Sequence, residues 1–423
     1  MIGVIADDLT GAAELGGLAT RLGIRAAVLL GGSQENQFGG LLGGESEVVC
    51  IDTDSRSCSA SEAGVRAAAA ARTLKEAGAT WIYKKVDSVL RGQVIPEMEA
   101  ILEQLGYKLA LLSPANPSLG RAIRKGNYFV DDKLLHLTEF ARDPAYPRRT
   151  ADVLGLLGPS KFSICCRRPE AGLPVEGIVA AEVETSRDVA GWAERCGGNM
   201  LAAGGAEFFG ELLKKVKSEE CRVESEGGEV RSAECGVQNA VGEVQRELFV
   251  CGSTSESARE FVREGANKMQ SAERGVRGVA VFSLPGEIAK GALFEDSKVN
   301  SMAEEIVSAF REHQRVILQV GLPQVSEALL AVRLALDLVK LAEAVLRRVR
   351  PARVFAEGGA TAVALARRMG WGSFSVVREL APGVVGLRPR GPEQAPELVI
   401  KPGSYWWPEG VRKKTPYVVS YNE

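Results

Sequence analysis

The sequence predicts an α/β protein of two domains, each a mostly parallel β-sheet flanked by helices, with a cleft between them. Short strand patterns alternate with helical patterns along most of the 423 residues, as in parallel sheets joined by crossover helices. The strand patterns are continuously apolar, as expected for strands covered on both faces. A Glu-, Ser- and Gly-rich stretch interrupts this order. We therefore predict domains at 1–216 and 246–423, with a linker or insertion at 217–245.

The first domain is predicted from seven apolar runs and the helical patterns that separate them. The runs are buried-strand candidates at 2–6, 26–30, 48–51, 81–83, 109–112, 161–166 and 200–203. Amphipathic or Ala-rich helices are predicted at 12–22, 61–76 and 95–105, with Ser61 capping the second. Strands and helices in this order predict a doubly wound sheet.

The second domain repeats the same alternation after the polar stretch. Strands are predicted at 248–252, 279–282, 316–320, 354–356 and 398–400, and helices at 258–264, 324–347 and 362–369. The long helix at 324–347 has a coiled-coil-like length, but its apolar positions fit core packing in a globular domain better.

The composition limits the classes of function. The 52 Lys and Arg residues nearly balance 54 Asp and Glu residues, and no basic stripe occurs, so a nucleic-acid partner is not expected. Two histidines are too few for a multi-histidine metal site. Eight cysteines without a C-x-x-C pair indicate reduced thiols, and no apolar run is long enough for a membrane span. The sequence thus predicts a cytoplasmic protein without a membrane partner, and leaves a homodimer open.

Polar clusters follow four predicted strands of the first domain. They are 7–11 (DDLTG), 52–56 (DTDSR), 84–92 (KKVDSVLRG) and 113–117 (SPANP). The carboxyl ends of parallel strands face one crevice, where ligands bind. Helix capping explains any single cluster equally well, but four clusters in one sheet favour a ligand site.

The residue types in these clusters suit a polyhydroxylated acid. Lys84, Lys85 and Arg91 supply positive charge for a carboxylate or a phosphate, and the arginine can bind it through two parallel hydrogen bonds. Asp8 and Asp87 can accept hydrogen bonds from hydroxyl groups, or one of them can take the proton of an attacking hydroxyl.

Three loops rich in glycine and hydroxyl residues follow strands of the second domain. They are 252–255 (GSTS), 358–361 (GGAT) and 401–404 (KPGS). A glycine turn before a helix presents backbone N–H groups and the positive end of the helix dipole, which suits phosphate. No Gly-Lys dipeptide occurs, so a Walker P-loop is excluded, and 11–17 lacks the dinucleotide-binding spacing. Any nucleotide site is therefore of another kind.

These motifs resemble the four-carbon acid sugar kinase family. The resemblance is carried in the first half by IADDLTGA at 5–12, KKVDSVLRG at 84–92 and SPANPSLGR at 113–121. The second half adds GSTS at 252–255, GGAT at 358–361, ELAPGV at 379–384 and KPGS at 401–404. Members of this family phosphorylate the terminal hydroxyl of threonate, erythronate or 3-oxo-tetronate with ATP.

The resemblance implies a role for each matching position. The domain at 1–216 would bind the sugar acid and the domain at 246–423 would bind ATP with Mg²⁺, whose ligands the sequence does not identify. Asp8 and Asp87 would be the catalytic residues, with Asp8 favoured as the base. The substrate contacts would be Asp7, Lys84, Lys85, Ser88, Arg91 and Asn116, and the nucleotide contacts would be Ser253, Ser255, Gly358, Gly359, Ala360, Thr361 and Gly403.

Two departures from the family pattern bear on the nucleotide site. Ala360 stands where the family usually has an acidic residue, and Glu357 is the carboxylate that could replace it. Tyr405-Trp406-Trp407 stands in place of a glycine-containing aromatic turn. Two other functions stay open at this point: a hydrolase or lyase acting on a sugar-acid phosphate, and a sensor that binds sugar acid and nucleotide without transfer. The acid and its stereochemistry are not specified by the sequence.

Overall fold

The computed structural model describes residues 1–31, 46–143, 146–225, 246–253, 256–270, 279–321, 328–403 and 405–412. The chain divides into two compact units, Met1–Val241 and Gly242–Glu423. Within the described ranges, no helix has both the length and the apolar character needed to cross a membrane. The six cysteines whose side chains are described, at positions 50, 58, 165, 166, 196 and 251, are all free thiols.

The N-terminal unit contains a parallel sheet and a small antiparallel sheet. The parallel sheet comprises β1 (Ile2–Ala6), β2 (Ala26–Leu30), β3 (Val48–Asp52), β4 (Trp81–Lys85), β5 (Leu109–Ser113), β9 (Ile164–Arg167), β10 (Gly177–Ala181) and β11 (Met200–Gly204). Their spatial order is β2-β3-β1-β4-β11-β5-β10-β9, parallel throughout. The antiparallel sheet comprises β6 (Arg121–Arg124), β7 (Asn127–Val130) and β8 (Lys133–Leu134).

Six α-helices are described in this unit, four of which have a side-chain cap at their start. They are α1 (Leu9–Arg21), α2 (Ala60–Glu76), α3 (Val94–Leu105), α4 (Val153–Leu157), α5 (Ser186–Arg195) and α6 (Ala206–Ser225). The α1 helix begins at Leu9 rather than at 12, because the Asp8 side chain accepts a hydrogen bond from the Gly11 N–H. The cap of α2 is Ser59, not Ser61. The α6 helix continues to Ser225, into the segment predicted as a linker, and 226–245 lie outside the described residues.

The C-terminal unit is built on a mixed sheet. Its strands are β12 (Glu247–Cys251), β13 (Val279–Ser283), β14 (Arg315–Gln319), β15 (Arg353–Glu357), β16 (Ser373–Ala381), β17 (Val384–Pro389) and β18 (Glu397–Lys401). In the spatial order β13-β14-β12-β15-β18-β17-β16 the first five are parallel, and β17 and β16 are antiparallel. The hairpin of β16 and β17 turns at Gly383, whose φ of +75° suits glycine.

The helices of this unit follow the predicted alternation. They are α7 (Glu256–Gln270), α8 (Gly286–Ala289), α9 (Asp296–Glu312), α10 (Ala328–Leu346), α11 (Gly359–Arg368) and α12 (Glu409–Arg412). The long helix predicted at 324–347 is described from Ala328, and 322–327 lie outside the described residues. An aromatic cluster forms part of the core: Phe249 stacks on Phe355 with ring centroids 4.3 Å apart, and Trp407 meets the Phe355 ring edge-on at 5.4 Å.

Candidate active site

The four polar clusters of the N-terminal unit lie at one edge of its parallel sheet. They follow β1, β3, β4 and β5, and these strands end nearly level: Ala6 is in register with Asp52, and Gly204 of β11 is in register with both Lys85 and Ser113. The long-range register therefore brings together side chains that are far apart in the sequence. This arrangement is the one expected from the carboxyl ends of parallel strands.

Arg56 joins the two aspartates that follow β1. Its Nε and Nη2 donate to the two carboxylate oxygens of Asp7 at 2.7 and 2.9 Å, and its Nη1 lies 2.9 Å from Asp8 Oδ2. Burial alone would raise the pKa of Asp7, but the Arg56 charge and hydrogen bonds outweigh burial and hold this pKa below its ordinary value. Arg56 lies in the predicted polar cluster 52–56, but the sequence predicts no role for it, because the partners of an arginine do not follow from the sequence.

Asp8 is partly exposed, and both of its carboxylate oxygens are engaged within the protein. Oδ1 accepts from the Gly11 N–H at 2.8 Å, and Oδ2 accepts from the Thr10 hydroxyl at 2.5 Å and faces Arg56. Its side chain keeps 21% of its surface exposed, against 4% for Asp7. Of these two predicted site residues, Asp8 is thus the more accessible, while Asp7 holds Arg56.

Asp87 and Arg91 form a second charged group after β4. The guanidinium donates to both Asp87 oxygens, Nε to Oδ2 at 3.0 Å and Nη2 to Oδ1 at 2.7 Å, and its Nη1 donates to Asp143 at 3.0 Å. Burial would raise the pKa of Asp87, but Arg91 and Arg56 together lower it well below its ordinary value. Asp87 is therefore an ionised hydrogen-bond acceptor, and a buried carboxylate in that state is a weak base.

The two lysines predicted to bind substrate are buried and paired. Lys84 Nζ lies 2.5 Å from Glu97, with both side chains almost fully buried, and Glu97 also accepts from the Ser55 hydroxyl at 2.6 Å. Lys85 Nζ lies 3.0 Å from Glu14 of α1. Burial would lower the pKa of Lys85, but Glu14 and Asp8 raise it, so the ammonium is retained. Both lysines therefore lie below the protein surface, each paired with a carboxylate of a helix.

Ser88 and Asn116 have structural contacts. The Ser88 side chain is half-buried, and its backbone carbonyl accepts a hydrogen bond from the Tyr128 hydroxyl. Asn116 is buried, and its Oδ1 accepts from the Glu207 N–H at 3.2 Å in the first turn of α6. This contact anchors α6 to the loop after β5.

A segment following the small antiparallel sheet supports the loop that carries Asp87 and Arg91. Arg148 Nη1 donates to the Leu90 carbonyl at 3.3 Å, at a residue with a φ of +62°. The Tyr146 hydroxyl donates to the Arg56 carbonyl, and Asp143 pairs with Arg91. These residues were not predicted from the sequence, because short antiparallel strands and irregular segments show little hydrophobic periodicity.

The predicted nucleotide loops of the C-terminal unit converge at the carboxyl ends of β12, β15 and β18. A Cβ atom added at Gly252 would lie 2.2 Å from Thr361 Oγ1, and one at Gly403 would lie 3.3 Å from Ser253 Oγ. The Gly358 N–H donates to the Lys401 carbonyl at 3.0 Å, which joins the second and third loops. Such close backbone packing is the arrangement in which main-chain N–H groups can approach a phosphate. Ser255 and Ser404 lie outside the described residues.

The N-terminus of α11 supplies the second of these loops. Gly358 is its N-cap with a φ of +93°, and Gly359, Ala360 and Thr361 form the first turn, which carries no acidic residue. Ala360 is exposed and Thr361 is buried. The uncompensated positive end of the helix dipole favours an anion here.

Glu357, the carboxylate considered as a replacement at Ala360, is fully buried. Its Oε1 accepts from Lys401 Nζ at 2.7 Å, and neither side chain is more than 1% exposed. Burial raises the pKa of Glu357 even though Lys401 acts to lower it. The carboxylate therefore does not replace an acidic residue on the ligand side of the loop. Among the side chains that the structure describes, no group of three or more acidic, His or Cys residues could hold a metal ion.

The aromatic residues at 405–407, which depart from the family pattern, lie partly at the surface and partly in the core. Trp407 is buried among the aromatic rings of the core, and its ring lies 5.1 Å from Lys401 Nζ. Trp406 is 45% exposed, and Arg412 lies over its ring. Tyr405 packs beside Gly383, where an added Cβ would be 3.0 Å from the tyrosine ring.

Comparison with protein families identifies both units. Residues 2–164 match the family model described as a sugar-binding N-terminal domain, and residues 248–405 match the one described as a nucleotide-binding C-terminal domain. The chain thus belongs to the class of proteins in which a sugar-binding domain is followed by a nucleotide-binding domain.

Curated relatives give the particular family. The chain is 34% identical over 161 residues to a 3-oxo-tetronate kinase of Pseudomonas fluorescens, covering 37% of each chain. It is 34% identical over 183 residues to a D-threonate kinase of Bordetella bronchiseptica, covering 43% of this chain and 45% of that one. For a D-erythronate kinase of Heliobacterium modesticaldum the identity is 39% over 145 residues, covering 34% and 32%. The chain belongs to the four-carbon acid sugar kinase family. It spans less than half the length of these curated relatives.

Solved structures support the fold. The Haemophilus influenzae protein HI1011 matches with a TM-score of 0.68 at 19% identity, covering 95% of this chain and 96% of that one. A protein from Salmonella typhimurium LT2 matches with a TM-score of 0.73 at 19% identity, covering 96% of both chains. At this identity the likeness concerns the fold alone.

Proposed function

We propose that this protein is an ATP-dependent kinase that phosphorylates the terminal hydroxyl of a four-carbon sugar acid of the threonate, erythronate or 3-oxo-tetronate type. The observation that carries the proposal is the composition of the two sets of strand ends. One set presents aspartates with arginines, and the other presents three glycine loops packed around Thr361 and Ser253. The named activities of the family members agree with this division.

The sugar acid would bind at the strand ends of the N-terminal unit, within the region 1–216. The side chains of Arg91 and Arg56 keep partial exposure, 29% and 22%, and their guanidinium groups are suited to the substrate carboxylate. Asp8 is the accessible carboxylate and is suited to accept a hydrogen bond from the attacking hydroxyl and then its proton. Asp87 would hold Arg91 and accept a second substrate hydroxyl.

ATP would bind at the glycine loops of the C-terminal unit, within 246–423. The phosphates would be held by main-chain N–H groups of the loops that contain Ser253, Gly358 to Thr361, and Gly403, at the N-terminus of α11. Phosphoryl transfer depends mainly on alignment and charge neutralisation, and Mg²⁺ supplies part of that neutralisation when bound with the nucleotide. Mg²⁺ bound with a nucleotide keeps several waters and is held by phosphate oxygens and one or two carboxylates. A reaction of this kind belongs in the cytoplasm, where ATP is available.

An ADP-release assay tests the proposal. The protein is incubated with ATP and Mg²⁺ and with D- and L-threonate, D- and L-erythronate and the 3-oxo-tetronates in turn. We expect release of ADP with at least one acid and a phosphorylated acid as the second product. Turnover of a sugar-acid phosphate without ATP would instead identify a hydrolase or lyase.

Binding measurements separate the kinase from a sensor. The absence of an acidic residue at Ala360 is the feature that favours a sensor. Affinity for both ATP and an acid without product from any of the acids would support that alternative and contradict the kinase.

A further inference from the structure

Lys401 belongs to the KPGS motif of the candidate nucleotide site, yet only 1% of its surface is exposed. It is a buried cation at the end of β18. Its Nζ donates to Glu357 at 2.7 Å and to the Pro402 carbonyl at 3.3 Å, and it lies 5.1 Å from the Trp407 ring. A lysine enclosed in this way does not reach a ligand. Its ammonium is instead directed at the backbone of its own loop.

We propose that Lys401 and Glu357 are positioning residues that orient the Gly403 N–H for a nucleotide phosphate. The inference rests on the proposed function and adds two residues to it. Its physical basis is the planarity of the peptide group. The Pro402 carbonyl and the Gly403 N–H belong to one trans peptide and point in opposite directions, so fixing one fixes the other.

The Pro402 carbonyl is held from two sides. It accepts from Lys401 Nζ and also from the Tyr405 N–H at 3.1 Å. The carbonyl therefore points toward the buried Nζ, and the Gly403 N–H, which belongs to the same planar peptide, points in the opposite direction. Gly403 lies beside Ser253 of the first loop, where an added Cβ would be 3.3 Å from Ser253 Oγ.

The same ion pair joins two of the three loops. Glu357 is the last residue of β15 and precedes Gly358, and Lys401 is the last residue of β18 and precedes Pro402; the two are paired in the sheet register. The Gly358 N–H donates to the Lys401 carbonyl at 3.0 Å. The side-chain pair and the backbone bond thus fix the second and third loops relative to each other before a ligand binds, which lowers the cost of ordering them on binding.

Another buried ion pair lies at the opposite end of the same sheet. Arg353 Nη2 is 2.5 Å from Glu247, and both side chains are nearly buried, at 10% and 4% exposure; Glu247 also pairs with Arg315 at 2.7 Å. Glu247 and Arg353 begin β12 and β15, whereas the glycine loops follow the last residues of these strands. Removing this pair perturbs the same sheet without touching the loops.

The experiment measures ADP binding by calorimetry and thermal unfolding for four full-length proteins: wild type, Lys401→Met, the double variant Glu357→Leu/Lys401→Met, and Arg353→Met. We expect Lys401→Met to lower the melting temperature and to weaken ADP binding at least about 10-fold, the effect of misplacing one hydrogen bond to a charged group. The double variant replaces the pair with apolar side chains and should recover the melting temperature, while ADP binding stays weak. Arg353→Met should be destabilised and bind ADP like wild type.

The double variant decides the question, because its stability and its affinity are expected to separate. If it binds ADP as tightly as wild type, the pair has no positioning role and the inference is wrong. Weakened ADP binding by Arg353→Met would also overturn it, since the effect would then follow from general destabilisation. Failure of the wild-type protein to bind ADP would reject the proposed function itself, and the inference with it.

Discussion

Replacing Gly252 with alanine tests the candidate nucleotide site most directly. The added Cβ would lie 2.2 Å from Thr361 Oγ1 and 3.2 Å from its Cγ2. Carbon atoms in contact normally stay near 3.5 Å, so the loop after β12 and the first turn of α11 must separate by roughly 1 Å. Thr361 is buried and β-branched, and therefore has little rotamer freedom with which to make room.

The expected cost follows from this overlap. Overpacking of a closely packed site typically costs about 1–3 kcal/mol, which lowers the melting temperature of a unit of this size by roughly 2–12 °C. We expect ADP binding to weaken at least about 10-fold, because in the proposed site both loops supply N–H groups to the same phosphates. Thermal unfolding and calorimetric titration with ADP measure the two effects.

Two further variants make the result specific. Gly286→Ala is the matched control, since nothing lies within 4 Å of its added Cβ in the same unit, and it should leave both quantities unchanged. Adding Thr361→Ala to Gly252→Ala removes the clashing atoms and should restore the melting temperature. If Gly252→Ala melts and binds ADP like wild type, the close packing of these loops is wrong.

Three other predictions concern the N-terminal unit. Arg91→Ala should raise the KM for the sugar acid at least about 10-fold with a smaller effect on kcat, because it removes a ground-state contact; Arg25→Ala, at an exposed surface pair, is its control, and an unchanged KM with a collapsed kcat would reject the assignment. Asp8→Asn should lower kcat by about 10²–10⁴-fold with the acid still bound, and retained turnover would exclude Asp8 as the base. The pKa of Asp87 is lower in the folded protein than in the unfolded chain, so its stabilising effect is complete above the unfolded pKa of about 4 and is lost as the pH falls further. Urea denaturation between pH 2 and 6 should therefore show a steeper acid-side loss of stability for wild type than for Asp87→Asn, and equal slopes would contradict the ion pair with Arg91.

Most of the parallel strands were predictable because their own residues determine them, although β10 was not predicted. Runs such as 26–30 and 200–204 are apolar at every position and are fully buried in the sheet. A continuous apolar run is typical of a strand that is covered on both faces. The hairpin of β16 and β17 was missed because β16 is only partly buried along most of its length, so its sequence lacks a continuous apolar run. The start of α1 was misplaced because Asp8 is its N-cap, so that the helix begins within the polar cluster 7–11 and not after it.

The location of the polar clusters was predictable, but their ion pairs were not. Asp7, Asp8, Asp87 and Arg91 do lie at one sheet edge, as strand order requires. Their ion-pair partners come from other elements, however: Glu14 and Glu97 are on helices, and Asp143 follows an irregular segment. Such pairs depend on tertiary packing, and the sequence therefore did not show that Lys84 and Lys85 are buried and paired with carboxylates.

The pairing of Arg56 and Arg91 with resident carboxylates has a consequence for selectivity. An arriving anion would have to displace carboxylates that already neutralise these cations, so charge alone would contribute little to its binding free energy. Simple anions such as sulfate should then compete poorly. Discrimination among acids of equal charge would rest on how their hydroxyl groups meet oxygens such as those of Asp8, and chain stereochemistry rather than acidity would decide which compound is accepted.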